Sequence, residues 1–302
     1  MASTTNTLPS ADQYKQGYTL VLTATVIWAS TGVFMSYLFL HYTLAPLTLA
    51  FWRDMFTATV LILILLVVKP VLLRVNRRDL PFLLAYGLFG LACFNAIWTY
   101  SVAYNGASVS TVLIYTGPAF VALASRWLFG EPLYWNKILA IILAFSGCVL
   151  VAQVYDLGFV LSNPTGTVIG LLAGVGFAVY SLFGKAASKR LNPWTTTAYI
   201  FAFGSFFLLL TRPYDQLWSM GPTVDGWLIL LALAAPTLGG YGLYMVSLGH
   251  LPVSVASIVV ALEPAFTALM AFAILGERLT AIQIVGSMLI FAGVVVLRLK
   301  QE

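Results

Sequence analysis

Long apolar segments with almost no charge dominate this 302-residue chain. A helix needs about 20 mostly apolar residues to cross the roughly 30 Å hydrocarbon core of a bilayer. Charged residues make up only 8 % of the sequence, whereas an ordinary soluble domain has about 25 %. So few charges cannot cover the surface of a water-soluble globule of this size. The sequence therefore predicts a membrane protein, and it excludes a soluble enzyme, a disordered chain and a disulfide-stabilised secreted module.

Ten apolar segments are predicted to be transmembrane helices, separated by proline, glycine and charged residues. The runs are continuous and too long for the short alternating strands of a membrane barrel. The polar residues 1–17 lack the apolar core of a signal peptide, so the first span is expected to be uncleaved. The fold class is therefore an all-α polytopic membrane protein. The predicted spans are 18–40, 44–68, 80–103, 107–129, 136–154, 165–187, 193–210, 226–248, 253–275 and 280–298.

The basic residues between the spans are strongly biased to one side. With the N-terminus inside, twelve fall in cytoplasmic segments and only Arg212 and Arg278 fall outside. Cytoplasmic loops of membrane proteins carry the excess of Lys and Arg, so we expect both termini in the cytoplasm. The twelve are Lys15, Lys69, Arg74, Arg77, Arg78, Arg126, Lys137, Lys185, Lys189, Arg190, Arg298 and Lys300.

The second half of the chain repeats the first at an offset of 146 residues. Pro118-Ala119-Phe120 matches Pro264-Ala265-Phe266, and Gly130-Glu131 matches Gly276-Glu277. Five spans per half is an odd number, so the second half must enter the membrane upside down. Inverted repeats are typical of secondary transporters, in which two similar halves exchange conformations around a midplane site. We expect a tail, 1–17, and two five-helix repeats, 18–156 and 157–302.

These motifs resemble a known family. Two five-helix halves that each close with P-A-F-x-A-L and then G-E are similar to the ten-helix EamA branch of the drug/metabolite transporter superfamily. Phe51-Trp52-Arg53 resembles the start of that family's F-x-R-x-x-x-A pattern, with Ala58 one residue later than the pattern has it. The whole chain resembles the YddG-type exporters. This resemblance implies a bacterial inner-membrane protein that exports aromatic amino acids and related amphipathic compounds.

Aromatic and polar residues deep in the predicted spans are candidates for the wall of a central cavity. Asn95 and Trp98 match Tyr241 and Tyr244 at the offset, and each pair shares a helix face. Such groups favour a cavity over lipid and can stack on an aromatic substrate. The alternative is that Trp98 and Tyr244 pack between helices or belong to an interfacial aromatic belt. The candidate cavity residues are Trp28, Asn95, Trp98, Tyr115, Tyr180, Tyr241, Tyr244 and Glu263.

Prolines near mid-membrane are candidate hinges. Pro118 and Pro264 each remove a helix hydrogen bond at matching positions of the two halves. Pro236 and Gly240 weaken the eighth predicted span in a similar way. The sequence predicts that these helices bend or break there.

Three charged residues lie inside the predicted spans: Arg53, Asp54 and Glu263. A charge there is costly unless it is paired or hydrated, so each is a functional candidate. Glu263 is a candidate to bind a substrate amine or to carry a coupling proton, and Arg53 to hold a substrate carboxylate. The alternative is that Arg53 pairs with Asp54 or Glu263 and locks helices together. Glu131 and Glu277 are expected to cap the helices that follow them.

Export by alternating access is the function that this pattern favours, with a small-molecule substrate and the lipid bilayer as the partners. Export of other metabolites or drugs, and a channel-like facilitator, remain alternatives. Scattered acidic residues and two isolated histidines argue against an enzyme or a metal site, and we expect no cofactor and no nucleic acid. Ten spans can enclose a cavity, so we expect a functional monomer.

Overall fold

The computed structural model describes residues 11–298 except 43, 155–162, 212–217, 219–220, 222 and 276–278, and the regular elements of this part are all helical. A short 3₁₀ helix spans Pro70–Leu73, and a π-helical stretch spans Tyr86–Ala92. The α-helices are α1 (Ala11–His41), α2 (Pro46–Val68), α3 (Leu80–Ala85), α4 (Cys93–Ile114), α5 (Gly117–Phe129), α6 (Trp135–Val151), α7 (Pro164–Ser188), α8 (Pro193–Leu210), α9 (Val224–Ala232), α10 (Ala234–Ser247), α11 (Val253–Val260), α12 (Glu263–Leu275) and α13 (Ala281–Arg298).

Local sequence signals explain where several of these helices begin and end. α7 and α8 both start with proline, which lacks the N–H that the first helical turn cannot use. The preceding residues, Asn163 and Asn192, accept hydrogen bonds from Gly166 N and Trp194 N at 3.0 Å. Gly130 ends α5 with φ +68°, the left-handed conformation that glycine adopts without strain.

The helices confirm a multi-pass membrane protein. Seven helical segments in the described part of the chain are long and apolar enough to cross a membrane. Trp135–Val151 and Ala281–Leu297 are shorter apolar helices, and α1 contains the first predicted span. That all ten segments cross the bilayer stays a prediction. The seven are Pro46–Val68, Leu80–Val102, Val109–Phe129, Pro164–Ser188, Pro193–Leu210, Val224–Ser247 and Val253–Met270.

The chain turns back on itself within α4. Ser101 Oγ donates a hydrogen bond to Ser110 Oγ at 2.9 Å, although the two residues are nine positions apart. A straight helix would separate them by about 13.5 Å, at 1.5 Å per residue. The helical backbone therefore reverses between these serines, where the sequence predicts the connection between the third and fourth spans.

Three of the predicted spans are broken inside the bundle. Residues 115–116 separate α4 from α5, Leu233 separates α9 from α10, and residues 261–262 separate α11 from α12. The first and third breaks lie 146 residues apart, which is the offset of the sequence repeat. Pro118 and Pro264 follow them within two residues, because proline cannot continue the hydrogen-bonding of the preceding turn.

The most extensive helix pairings each join one predicted half to the other: α1 with α10, α2 with α8, α4 with α7, and α6 with α13. The α6–α13 contact is very close, since a Cβ on Gly147 would lie 2.5 Å from the carbonyl oxygen of Gly286. Only glycine lets two backbones approach this closely. The helices of the two predicted halves therefore pack against each other along the bundle.

Candidate functional site

A cavity of about 450 Å³ lies at the centre of the bundle, between helices of both predicted halves. This volume is in the range of small-molecule sites. Eight aromatic side chains line it, with Arg53 and Glu263 as its charged groups. The aromatic residues are Trp28, Phe39, Phe94, Trp98, Tyr115, Phe177, Tyr180 and Tyr241.

Seven of the eight candidate cavity residues lie on this wall: Trp28, Asn95, Trp98, Tyr115, Tyr180, Tyr241 and Glu263. Their contact with a substrate stays a prediction. Tyr244 differs, because it is fully buried and its hydroxyl donates to Ser181 Oγ at 2.9 Å. The indole of Trp28 covers it, with ring centroids 5.3 Å apart. Helical spacing places Tyr244 on the same helix face as Tyr241. It cannot show that a side chain of another helix, here Trp28, separates Tyr244 from the cavity.

The candidate hinge residues fall at or near the helix breaks. Pro118 and Pro264 are the second residues of α5 and α12, and Pro264 also lines the cavity. Pro236 is the third residue of α10, just after the break at Leu233. Gly240 instead lies inside α10, where a Cβ would come within 2.4 Å of the Trp28 indole. Glycine at 240 therefore provides close packing for Trp28, whereas motion at the prolines stays a prediction.

Arg53 and Asp54 form a buried pair on α2. Arg53 Nε donates to Asp54 Oδ1 at 3.0 Å, and Arg53 Nη2 lies 3.0 Å from the same oxygen. Asn95 Nδ2 donates to the other oxygen of Asp54 at 2.6 Å. Arg53 and Asn95 line the cavity, whereas Asp54 is completely buried behind them. Arg53 therefore contacts Asp54, but both residues lie on α2, so this pair does not join two helices as the alternative interpretation had it.

Glu263 contacts the opposite helix break. Its Oε2 accepts a hydrogen bond from the Tyr115 hydroxyl at 2.8 Å, so the two residues join the breaks at 115–116 and 261–262. Within the described residues, the ion pairs do not include one between Glu263 and Arg53. The cavity wall thus carries a cation and a carboxylate that are not neutralised by each other.

Some wall residues were not singled out by the sequence pattern. Thr267 lies one turn after Glu263, so its i+4 spacing was a usable signal. Gln283, Met35 and Ala152 lie near the ends of their helices and carried no such signal. Together these three show that the cavity extends to the end of the bundle where α1 and α6 finish and α13 begins.

The other end of the bundle is closed by a polar network. Glu131 accepts hydrogen bonds from Val253 N at 2.8 Å, from Ser254 N at 3.2 Å and from Ser254 Oγ. Lys137 Nζ donates to Ser254 Oγ at 2.8 Å, and Lys185 Nζ donates to the carbonyl oxygens of Leu248 and Leu251 at 2.7 Å. We call these contacts the basic-end network.

The basic-end network corrects one sequence prediction. Glu131 caps α11, which belongs to the second half, and not α6, the helix that follows it. A carboxylate caps whichever helix N-terminus tertiary packing brings beside it, and sequence order does not reveal that neighbour. The matching Glu277 lies outside the described residues.

A polar contact also lies at the end to which the cavity extends. The Tyr42 hydroxyl, just after α1, donates to Asp225 Oδ2 at 2.5 Å. This hydrogen bond to a carboxylate raises the pKa of Tyr42 to about 12. The hydrogen bond therefore joins the end of α1 to the start of α9.

A central cavity enclosed by broken helices of a multi-pass membrane protein is the architecture of a small-molecule transporter. The model of the EamA-like transporter family matches residues 15–153 and again residues 164–299. The chain therefore belongs to the EamA-like transporter family.

Individual relatives agree with this assignment. The chain is 28 % identical to an uncharacterized transporter of Archaeoglobus fulgidus over 85 % of its own length and 90 % of the relative's. It is 30 % identical to the threonine/homoserine exporter RhtA of Salmonella typhimurium, covering 74 % of this chain and 73 % of the exporter. A crystal structure with 17 % identity shares the fold, with a TM-score of 0.80 over 94 % of this chain and 97 % of the other.

Proposed function

We propose that this protein exports small amphipathic organic molecules, above all aromatic amino acids, across the inner membrane of a bacterial cell by alternating access. The observation that carries the proposal is the central cavity, whose wall combines eight aromatic rings with the guanidinium of Arg53 and the carboxylate of Glu263. Aromatic faces suit the side chain of such a substrate, and the two charges suit its zwitterionic end.

Ten transmembrane helices in two inverted halves, 18–156 and 157–302, form the proposed architecture. The family model matches the chain twice, with one match in each half. The helix pairings follow the same symmetry, since α1 with α10 is the counterpart of α7 with the α3–α4 region. One chain supplies every side of the cavity, which supports a functional monomer.

The ends of the bundle support alternating access. The bias of the basic residues supports a cytoplasmic location for the basic-end network and for both termini. With that orientation the cavity extends toward the outside, which supports an outward-facing state. An inward-facing state requires Glu131 to leave the N-terminus of α11 while the prolines at the helix breaks permit the movement.

The choice of an amino acid as substrate has separate support. A relative covering about three quarters of the chain is named as a threonine/homoserine exporter. The preference for aromatic side chains comes from the cavity wall and from the resemblance to YddG-type exporters.

Purified protein in liposomes loaded with labelled phenylalanine tests the proposal. We expect saturable efflux that unlabelled phenylalanine or tryptophan inhibits, and counterflow when substrate is present on both sides. Efflux without counterflow, at rates far above those of carriers, would instead identify a channel. If the protein transports threonine but no aromatic amino acid, the aromatic preference is wrong, while the proposal of amino acid export still holds.

A variant pair ties this assay to the cavity. Trp98 lines the cavity, whereas Trp127 is 88 % exposed on the outer surface of the bundle. We expect Trp98→Ala to lower phenylalanine transport about ten-fold, the effect of losing about 1.4 kcal/mol of aromatic contact. Trp127→Ala should leave transport unchanged. Equal phenylalanine transport by the two variants would contradict the proposal that the cavity binds the substrate.

A further inference from the structure

The guanidinium of Arg53 has hydrogen-bonding capacity that the protein does not use. Arg53 is 6 % exposed, and its Nη2 has no hydrogen-bond partner among the described residues. Its distance of 3.0 Å from Asp54 Oδ1 is an ion contact without hydrogen-bond geometry. A buried donor without an acceptor is costly, so its persistence at a cavity wall calls for an explanation.

Arg53 does not serve to lock helices together. Its ionic partner is the adjacent residue of the same helix, so the pair joins α2 only to itself. The tie between helices is instead made by Asp54, which binds Asn95 on α4. The guanidinium also neutralises the buried Asp54 carboxylate, but that role leaves Nη2 without a hydrogen bond and does not explain why the group lines the cavity.

Asp54 and Asn95 instead hold the guanidinium in a fixed orientation. Asp54 engages Nε, the inner edge of the planar group, while Asn95 holds the second oxygen of that carboxylate. Nη1 and Nη2 make no hydrogen bond within the described residues, and Nη2 is buried against Asp54, so a ligand in the cavity would meet the guanidinium first at Nη1. A planar guanidinium with one edge fixed presents its other N–H groups as a fork that matches a carboxylate.

We propose that Arg53 binds the carboxylate of the transported amino acid, with Asp54 and Asn95 as positioning residues. This inference rests on the proposed function and names the polar contact that selects its substrate. Glu263 supplies the complementary charge on the same cavity wall, and the Tyr115 hydroxyl occupies only one of its oxygens. Compounds with an amine and an aromatic ring but no carboxylate lack the contact with Arg53.

Paired substrates separate recognition from stability. Phenethylamine has the ring and the amine of phenylalanine but no carboxylate. In liposomes, we expect wild-type protein to transport phenylalanine at least ten-fold more efficiently than phenethylamine. Arg53→Gln should lower phenylalanine transport by about 10- to 100-fold, the loss of a charge-assisted pair of hydrogen bonds, and lower phenethylamine transport by a much smaller factor.

Two further variants complete the design. Arg53→Lys keeps the charge without the fork, so it should lower phenylalanine transport by a smaller factor than Arg53→Gln. Arg190→Gln is the matched control, since Arg190 lies near Asp79, with 3.6 Å between Nη1 and Oδ1, and away from the cavity. This control should transport both compounds as the wild type does.

The outcomes distinguish the two proposals. An equal fall in the transport of both compounds by Arg53→Gln would overturn the role of Arg53 and leave export intact. If Arg53→Gln does not fold, the wild-type protein provides the test. Equal wild-type transport of phenylalanine and phenethylamine would then overturn the role of Arg53. Wild-type protein that transports neither compound would contradict the proposed function itself, and the role of Arg53 would fall with it.

Discussion

The two helix breaks at 115–116 and 261–262 occupy equivalent positions of the sequence repeat but carry different chemistry. Each is followed by a helix with proline as its second residue. The first residue after the break is Gly117 in one half and Glu263 in the other. Glu263 lines the cavity and binds Tyr115, whereas Gly117 is buried against Phe177 and Gly174 of α7.

The repeat therefore reproduces the backbone of the helix break but not the side chains around it. A broken helix at both positions gives the two halves equivalent interruptions of the backbone, and movement there stays a prediction. A single carboxylate makes the cavity chemically asymmetric, which suits a substrate with unlike ends. The site is therefore built from a symmetrical backbone with unsymmetrical side chains.

Making the two breaks alike should have the largest effect. A Cβ at position 117 would lie 2.8 Å from a Phe177 ring carbon and 3.0 Å from the carbonyl oxygen of Gly174. We expect Gly117→Glu to prevent stable folding, because a larger side chain and a charge would enter a packed helix contact at a cost of several kcal/mol, on the order of the burial of an unpaired charge. Thermal unfolding of the detergent-purified protein measures the loss.

A second glycine provides the control for this prediction. A Cβ at Gly239 would meet Ile27 only at 3.5 Å, an ordinary contact. Gly239→Ala should therefore keep the wild-type unfolding temperature, and Gly117→Ala should fall between it and Gly117→Glu. A stable Gly117→Glu protein would show that packing does not enforce the asymmetry of the two breaks.

Removing the charge from the second break should affect transport more than stability. Glu263→Gln keeps an oxygen that can accept from Tyr115, so we expect the fold to persist. Phenylalanine transport should fall at least about ten-fold, the loss of one hydrogen bond to a charged group. Asp12→Asn removes an acid from an exposed position on α1 and should leave transport unchanged.

The same variant tests proton coupling. If Glu263 carries the coupling proton, an imposed proton gradient accelerates the wild-type protein and not Glu263→Gln. If the wild-type transport rate does not change with the gradient, Glu263 does not carry a coupling proton. Its proposed role is then to bind the substrate amine. Unchanged transport by Glu263→Gln without a gradient would remove the carboxylate from substrate binding.

Sequence periodicity and the repeat predicted much of this arrangement. Apolar run lengths located the membrane helices, and the matching prolines predicted the breaks. The repeat offset brought Asn95, Trp98 and Tyr241 together, and all three lie on one cavity wall. These features depend on position along the chain, which the sequence records directly.

The remaining features depend on the rotation and neighbours of each helix. Trp28 covers Tyr244 because Gly240 lets the indole approach α10. Glu131 caps a helix 122 residues away along the chain, and Tyr115 reaches Glu263 across 148 residues. No local pattern encodes such contacts, since each arises from packing between elements distant in sequence.

The hydrogen bond between the two breaks should produce the smallest effect. Tyr115→Phe removes the side-chain donor that Glu263 has among the described residues without changing the ring that lines the cavity. A single hydrogen bond to a charged group contributes about 1.5–3 kcal/mol, but water in the cavity can replace the hydroxyl, so we expect only a two- to five-fold fall in transport, roughly 0.4–1 kcal/mol. Tyr199→Phe, which removes a bond to the Leu73 carbonyl outside the cavity, should leave transport unchanged. A fall in Tyr115→Phe as large as that in Glu263→Gln would mean that the pair acts as one unit, and that the second break depends on the first for its chemistry.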